Sequence, residues 1–190
     1  VPRMYDGTWS GTMCLTEPNA GSNLATLETT AYREEDHFRI KGSKIFISWG
    51  DHDIAENIVH LVLARIDGAP AGVRGISLFI VPKLRVNPDG SLGEPNDVVC
   101  TGIEEKLGLH ASPTAALTFG GREGCIGYLC GQENQGLAHM FQMMNSARIN
   151  TGVSGMAMAS TAYLNALAYT KERRQGRDLS GRGEGEVPII

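Results

Sequence analysis

The sequence predicts a mainly β domain of short antiparallel strands followed by one long α-helix, and three patterns carry that expectation. Between residues 25 and 130, short runs rich in β-branched residues alternate with Gly, Pro and Asp turns. No helix-length pattern separates these runs. A βαβ arrangement is therefore disfavoured, and seven or eight strands in a sandwich or barrel are expected. After Gly131 the apolar spacing becomes that of a helix and holds for roughly forty residues.

In chain order, His37-Phe-Arg-Ile-Lys41 alternates apolar and polar, as a half-buried strand does. A turn at Lys41-Gly42-Ser43 is expected to lead into a strand over 44–48. The runs 57–66 and 75–81 are almost continuously apolar and close at Asp67-Gly68 and Pro82, and shorter candidates lie at 98–101, 115–119 and 125–130. Asn134 is placed to cap the helix, with Leu137, Met140, Phe141 and Met144 following at helical spacing. A second apolar register runs through Val153, Met156, Ala157, Ser160, Leu164 and Leu167, and the helix should end before Gly176. So long an amphipathic helix needs partners to bury its stripe, and the chain offers no second helix of that length. The expectation is a piece of a larger protein, divided as 1–131 (β), 132–175 (helix) and 176–190 (exposed tail).

Composition excludes several classes. The formal net charge of −4 offers no long-range attraction to nucleic acid or an anionic membrane, so any phosphate must be held by local donors. The longest apolar run, 58–64, contains His60 and is too short to span a bilayer. The four cysteines (14, 100, 125, 130) form no Cys-x-x-Cys pair and the five histidines are scattered, so no metal site is expected. Reduced thiols and the lack of a secretory signal or glycosylation acceptor make the cytoplasm the expected location.

The stretch GTMCLTEPNAGSN (11–23) fits neither a strand nor a helix throughout. Apolar residues with interspersed hydroxyls break at Glu17-Pro18 into a loop of Asn, Ala, Gly and Ser. Turn chemistry alone accounts for Thr16 and Ser22 as satisfied loop hydroxyls. A Gly-Ser turn can also present backbone N–H groups to an anion. Read alone, Phe46 is a core ring and Ser48 a strand-end hydroxyl. Arg148, set between Ala147 and Ile149 in an apolar helical segment, is read as a buried cation with a carboxylate partner. Arg173, Arg174 and Lys171 suit the negative end of a helix dipole. Glu104 and Glu105 read as a solvated strand edge, since adjacent strand residues face opposite sides.

Taken together, Thr-Glu-Pro-x-x-Gly-Ser, then KIFIS (44–48), Arg148 in the helix, and YTKERRQ (169–175) resemble the acyl-CoA dehydrogenases in order and spacing. The resemblance covers the family's middle β-domain and the first helix of its C-terminal bundle. The wording of GTMCLTEPNAGSN, KIFISWGDHDIAENIVHLVLARI and RRQGRDLSG is especially similar to the large bacterial branch that includes methylthiopropanoyl-CoA dehydrogenases. It implies FAD as cofactor, an acyl-CoA substrate oxidised at its α,β bond to a trans-enoyl-CoA, an electron-transfer flavoprotein as acceptor, and a homo-oligomer.

Carried over residue by residue, the resemblance places Met13, Leu15 and Thr16 along the flavin ring. It puts Gly21 and Ser22 at the pyrophosphate, with Ser22 also approaching the pantetheine arm. Phe46, Ile47 and Ser48 stand where relatives have Trp-Ile-Thr, keeping the ring and the hydroxyl donor but not the indole N–H. Trp49 is expected to point away from Phe46, because strand alternation sends it to the opposite face. Asn145 and Arg148 match a substrate-side Asp-x-x-Arg, with the acid changed to an amide. Arg173 and Gln175 match the basic stretch that reaches a neighbouring subunit's flavin. The family's catalytic base has no counterpart among these residues, so the chain is expected to bind without catalysing. A noncatalytic β-barrel oligomerisation module and a flavin-dependent acyl-CoA oxidase remain as alternatives.

Overall fold

The computed structural model describes residues 2–122, 124–177 and 186–188. The chain divides into two compact units, Val1–Phe141 and Gln142–Ile190. A short helix α1 (Pro2–Tyr5) is followed by ten strands of the first unit: β1 Trp9–Cys14, β2 Thr30–Arg33, β3 Phe38–Ser48, β4 Asn57–Ile66, β5 Ile76–Pro82, β6 Leu84–Val86, β7 Leu92–Pro95, β8 Val98–Ile103, β9 Thr114–Phe119 and β10 Cys125–Leu129. Helix α2 (Gly136–Glu172) and strands β11 (Arg174–Arg177) and β12 (Glu186–Pro188) follow.

The barrel closes through β2. β4 pairs β5, β5 pairs β10, β10 pairs β3, and β2 pairs both β3 and β4. β1 continues the line of β2 along one edge of β4, and β9 continues β10 along one edge of β3, with β8 outside β9. The expected all-antiparallel ladder needs one correction: β1 and β2 both run parallel to β4. Strand spelling does not encode pairing direction, and both of these partners reach β4 from distant parts of the chain. The hairpin β6–β7 was not visible in the sequence, because strands of three and four residues are too short to show a period, and Gly93 and Pro95 read as turn residues.

The core holds the inward residues of these strands, among them Phe38, Ile40, Val62, Phe79, Leu117 and Phe119, with Phe38 and Phe79 meeting edge to face at 5.0 Å. β9 is half-buried by strict alternation, whereas β5 is buried nearly throughout. The start of α2 lies on β5: a Cβ at Gly136 would fall 2.4 Å from the Ser77 carbonyl carbon. Of the four free cysteines, Cys14 and Cys125 are buried, and burial pushes their thiols up to about 11 and about 12. No group of metal-ligating side chains occurs among the described residues, and no helix there is long and apolar enough to cross a membrane.

Two expectations about β3 fail, for physical reasons. Lys41-Gly42-Ser43 is not a turn, since β3 runs unbroken through it. Gly42 is instead required by close packing, because a Cβ there would lie 2.7 Å from the Thr29 Cα. Asn134 has φ 62° and its N–H donates to Ser77 Oγ, so α2 begins two residues later without that cap.

In the second unit the apolar side chains of α2 do not form one stripe. Ile149, Val153, Met156, Met158 and Leu164 are all exposed, and Met156 and Met158 point to opposite sides of the helix. The tail was expected as loop. Its described part instead pairs β11 with β12, and residues 178–185, 189 and 190 lie outside the described residues.

Candidate functional site

The site is built where the end of β1 and the loop after it meet the second half of β3. β3 begins with its even-numbered residues inward, so Phe38, Ile40 and Lys44 face the core. Between Lys44 and Ile47 the register with β9 slips, and Phe46 takes a left-handed φ of 60°. This bulge inverts the alternation: Ile47 turns inward at 2% exposure, while Phe46 is 57% exposed and Ser48 also faces out. A β-branch-free ring held at positive φ is uncommon, and such backbone strain gathers at functional positions.

The neighbouring wall is fixed to this bulge by backbone. Ile45 N–H donates to Thr16 O at 2.9 Å. Glu17 and Ala20 close the Glu17-Pro18-Asn19-Ala20 turn on each other, with Glu17 N–H donating to Ala20 O and Ala20 N–H to Glu17 O. Proline at the second position suits such a turn. Met13 faces outward from β1, Leu15 and Thr16 are half-buried, and Gly21 and Ser22 are exposed. Asn23 caps the short turn Leu24–Thr26 by accepting from Ala25 N–H, and Thr26 Oγ1 donates to Asn19 O, which shapes the loop carrying Ser22. Among the described residues, the hydroxyls of Thr16, Ser22 and Ser48 have no partner. Apolar side chains and unspent donors therefore stand outward on two segments that the Ile45–Thr16 backbone bond joins.

Two residues that sequence reading missed hold the walls together. Lys44, fully buried, donates from Nζ to Leu15 O at 3.0 Å and to Glu17 Oε1 at 2.8 Å. Glu17 also accepts from Thr29 N–H and Oγ1 and from Glu28 N–H. Burial would raise the Glu17 carboxyl, but Lys44 and the other donors outweigh it and hold the group below its ordinary value. Burial lowers the Lys44 ammonium against the pull of Glu17. The signal was available: in an alternating strand, a lysine in phase with Phe38 and Ile40 points into the core and must find a carboxylate.

Trp49 does not follow the alternation expected of it. β3 ends at Ser48, and Trp49 has φ 55°, is exposed and lies edge-on to His52 at 5.7 Å. Ser10 and His52 are bonded at 2.9 Å but do not form a nucleophile–base pair. His52 Nδ1 accepts from Ile54 N–H, so in the neutral ring Nε2 carries the proton and donates to Ser10. Glu104 and Glu105 follow β8 rather than lying on it. Asn145, Arg148, Arg173 and Gln175 belong to the second unit and are exposed there. Arg148 is not the buried cation that its apolar neighbours suggested, because Ala147 and Ile149 are exposed with it.

Residues 12–121 match the family model described as "Acyl-CoA dehydrogenase, middle domain". The chain is 50% identical over 191 residues to a 3-methylmercaptopropionyl-CoA dehydrogenase of Ruegeria pomeroyi, covering all of this chain and 32% of that protein. It is 47% identical to a butyryl-CoA dehydrogenase of Syntrophomonas wolfei, again over all of this chain and 32% of the relative. The structure is similar to that of Caenorhabditis elegans ACDH-11 in complex with C11-CoA, with a TM-score of 0.69 and 29% identity over 91% of this chain and 28% of that one. With its bulged β3 and split-edge barrel, the chain belongs to the acyl-CoA dehydrogenase family and carries its middle domain. It spans about a third of the length of the curated relatives it matches.

Proposed function

We propose that residues 13–16, 21–22 and 46–48 form the flavin- and acyl-CoA-facing wall of an FAD-dependent acyl-CoA dehydrogenase. The observation that carries this reading is the β3 bulge, which turns Phe46 and Ser48 outward beside Thr16 while Ile47 stays in the core. The donor set fits a flavin: two uncommitted hydroxyls, at Thr16 and Ser48, next to the apolar surfaces of Met13, Leu15 and Phe46. FAD would supply hydride acceptance from the substrate's β-carbon. Thr16 and Ser48 donate to the ring's acceptor edge, where fixed donors in a water-poor site stabilise growing negative charge. Ile47 contributes through its backbone, because its side chain is in the core. Gly21 and Ser22 offer donors to the pyrophosphate and pantetheine. Asn145 and Arg148 serve the acyl-CoA, and Arg173 and Gln175 the flavin of a neighbouring subunit in a homo-oligomer.

The site's own carboxylate cannot take the α-proton. Glu17 is buried, ion-paired and held below its ordinary pKa, which is the opposite of a poised base. Glu17 is thus not the base of this reading, which takes the base from elsewhere in the full-length protein and passes the reducing equivalents to an electron-transfer flavoprotein. The full-length protein is expected to purify yellow, with about one FAD per chain, and to lose its visible absorbance when mixed anaerobically with an acyl-CoA. A colourless protein that takes up no FAD contradicts the reading, and peroxide formed in step with acyl-CoA consumption in air would make the protein an oxidase.

A further inference from the structure

The buried Lys44–Glu17 pair presents no atom to the outward surface of the site, yet it holds the backbone behind that surface. Lys44 Nζ is bonded to Leu15 O and to Glu17, the two residues that flank Thr16. The next amide, Ile45 N–H, takes the Thr16 carbonyl. Three consecutive residues of one wall are thereby held by two consecutive residues of the other, immediately before the bulge at Phe46. On its far side the Glu17 carboxylate collects the N–H groups of Glu28 and Thr29 and the Thr29 hydroxyl, which ties the same point to the start of β2. Gly42 permits this approach, since any side chain there would run into Thr29.

Stability alone does not call for such a pair. Two well-packed apolar side chains in the same space commonly serve as well or better, because desolvating both charges is costly. A buried, fully satisfied ion pair does differ from apolar packing in direction: its bonds tolerate little displacement of the groups they join. We propose that Lys44 and Glu17 are positioning residues that set the spacing between the Thr16 segment and the Phe46–Ser48 bulge. This role rests on the flavin reading of the two walls, and it adds residues that the reading does not contain.

The test uses the full-length protein and two variants. Lys44→Met/Glu17→Gln removes both charges, while the amide oxygen still accepts from Thr29. Glu17→Asp keeps both charges and withdraws the carboxylate by one methylene. The first readout is hydrogen exchange on flavin-free protein. Segments 13–17 and 44–48 should exchange about tenfold faster in the double variant, with a smaller change in Glu17→Asp and no change in β4, β5 or β10. The second readout is made with FAD bound. Flavin content should be kept, the visible band should shift, and acyl-CoA should reduce the flavin about tenfold more slowly at saturation with little change in KM. A purely structural role would raise exchange throughout the barrel and leave the band of the bound flavin in place. Uniform loss of protection, unchanged exchange in both segments, or failure of both variants to fold overturns the proposal. If the unsubstituted protein takes up no FAD while exchange still rises locally, the flavin reading fails and the positioning contact stands.

Discussion

Replacing Ser48 by Ala in the full-length enzyme should slow flavin reduction by bound acyl-CoA about 10- to 100-fold while leaving FAD content near that of the parent. The bulge before Ile47 leaves the Ser48 hydroxyl outside the core, without a partner among the described residues. Its loss therefore empties no packed space. On the proposed reading, what is removed is a hydrogen bond to a group that gains negative charge during the reaction, worth roughly 1.5–3 kcal/mol, or about one to two decades in rate. In the proposed site, binding of the flavin is spread over the ring faces, the Gly21-Ser22 turn and the basic stretch, so one hydroxyl is expected to matter little to retention. Ser48→Thr, which keeps the donor, should restore most of the rate. A reductive half-reaction in Ser48→Ala as fast as the parent's would remove Ser48 from the site.

The second large effect concerns His60 and acid. His60 lies on β4 with its Nδ1 2.7 Å from Thr12 Oγ1, the edge of Phe119 nearby, Cys14 Sγ at 4.0 Å, and a buried Nε2 with no partner among the described residues. Burial lowers its pKa from 6.5 to about 4, with Asp51 acting in the opposite direction and Lys83 and His52 reinforcing the fall. A folded-state pKa below the unfolded one means that between these values the unfolded chain holds the extra proton. Stability is therefore lost as pH falls, beginning near 6.5 and complete below about 4. The loss attributable to this one ring is about 3 kcal/mol between pH 7 and pH 4. Carboxylates contribute to acid unfolding as well, so the useful quantity is a difference. His60→Gln keeps a polar group for Thr12 but does not titrate. Whatever stability the parent holds over this variant at pH 7 should fall by about 3 kcal/mol by pH 4, read from urea midpoints. Parallel curves for the two proteins would contradict a neutral, buried His60.

Where the chain spells an apolar run between turn residues, the sequence was a good guide. The strand expected at 57–66 is β4 as found, and those at 115–119 and 125–130 lie within one residue of β9 and β10. The helix was legible in type and length, because a run of nearly forty residues without Pro, rich in Ala, Met and Leu, suits a helix and no strand, although its apolar residues form no single stripe. What escaped was everything decided by a partner strand. The parallel docking of β1 and β2 depends on which edge of β4 is free. The bulge at Phe46 depends on the register of β9. Gly42 read as a turn because its requirement, the approach of Thr29, lies thirteen positions away in sequence.

The site divides along the same line. Met13, Thr16, Phe46 and Ser48 enter the candidate site through a motif whose order is specific, but nothing local shows that Phe46 faces outward. Strand periodicity without the bulge would have buried it and exposed Ile47. The alternation argument failed for Trp49 because β3 ends one residue earlier and Trp49 takes a positive φ. Lys44 and Glu17 were the legible residues left unread, since a lysine in phase with Phe38 and Ile40 already announces a buried charge.

The central claim is that the outward face formed by Met13, Thr16, Phe46 and Ser48 is a flavin wall. The most direct measurement is a crystal structure of the full-length protein loaded with FAD. The account predicts the flavin ring lying along this face, with Ser48 Oγ about 3 Å from a ring acceptor and Phe46 packed beside the ring. A ring bound elsewhere on the barrel, with Ser48 still open to solvent, would contradict it.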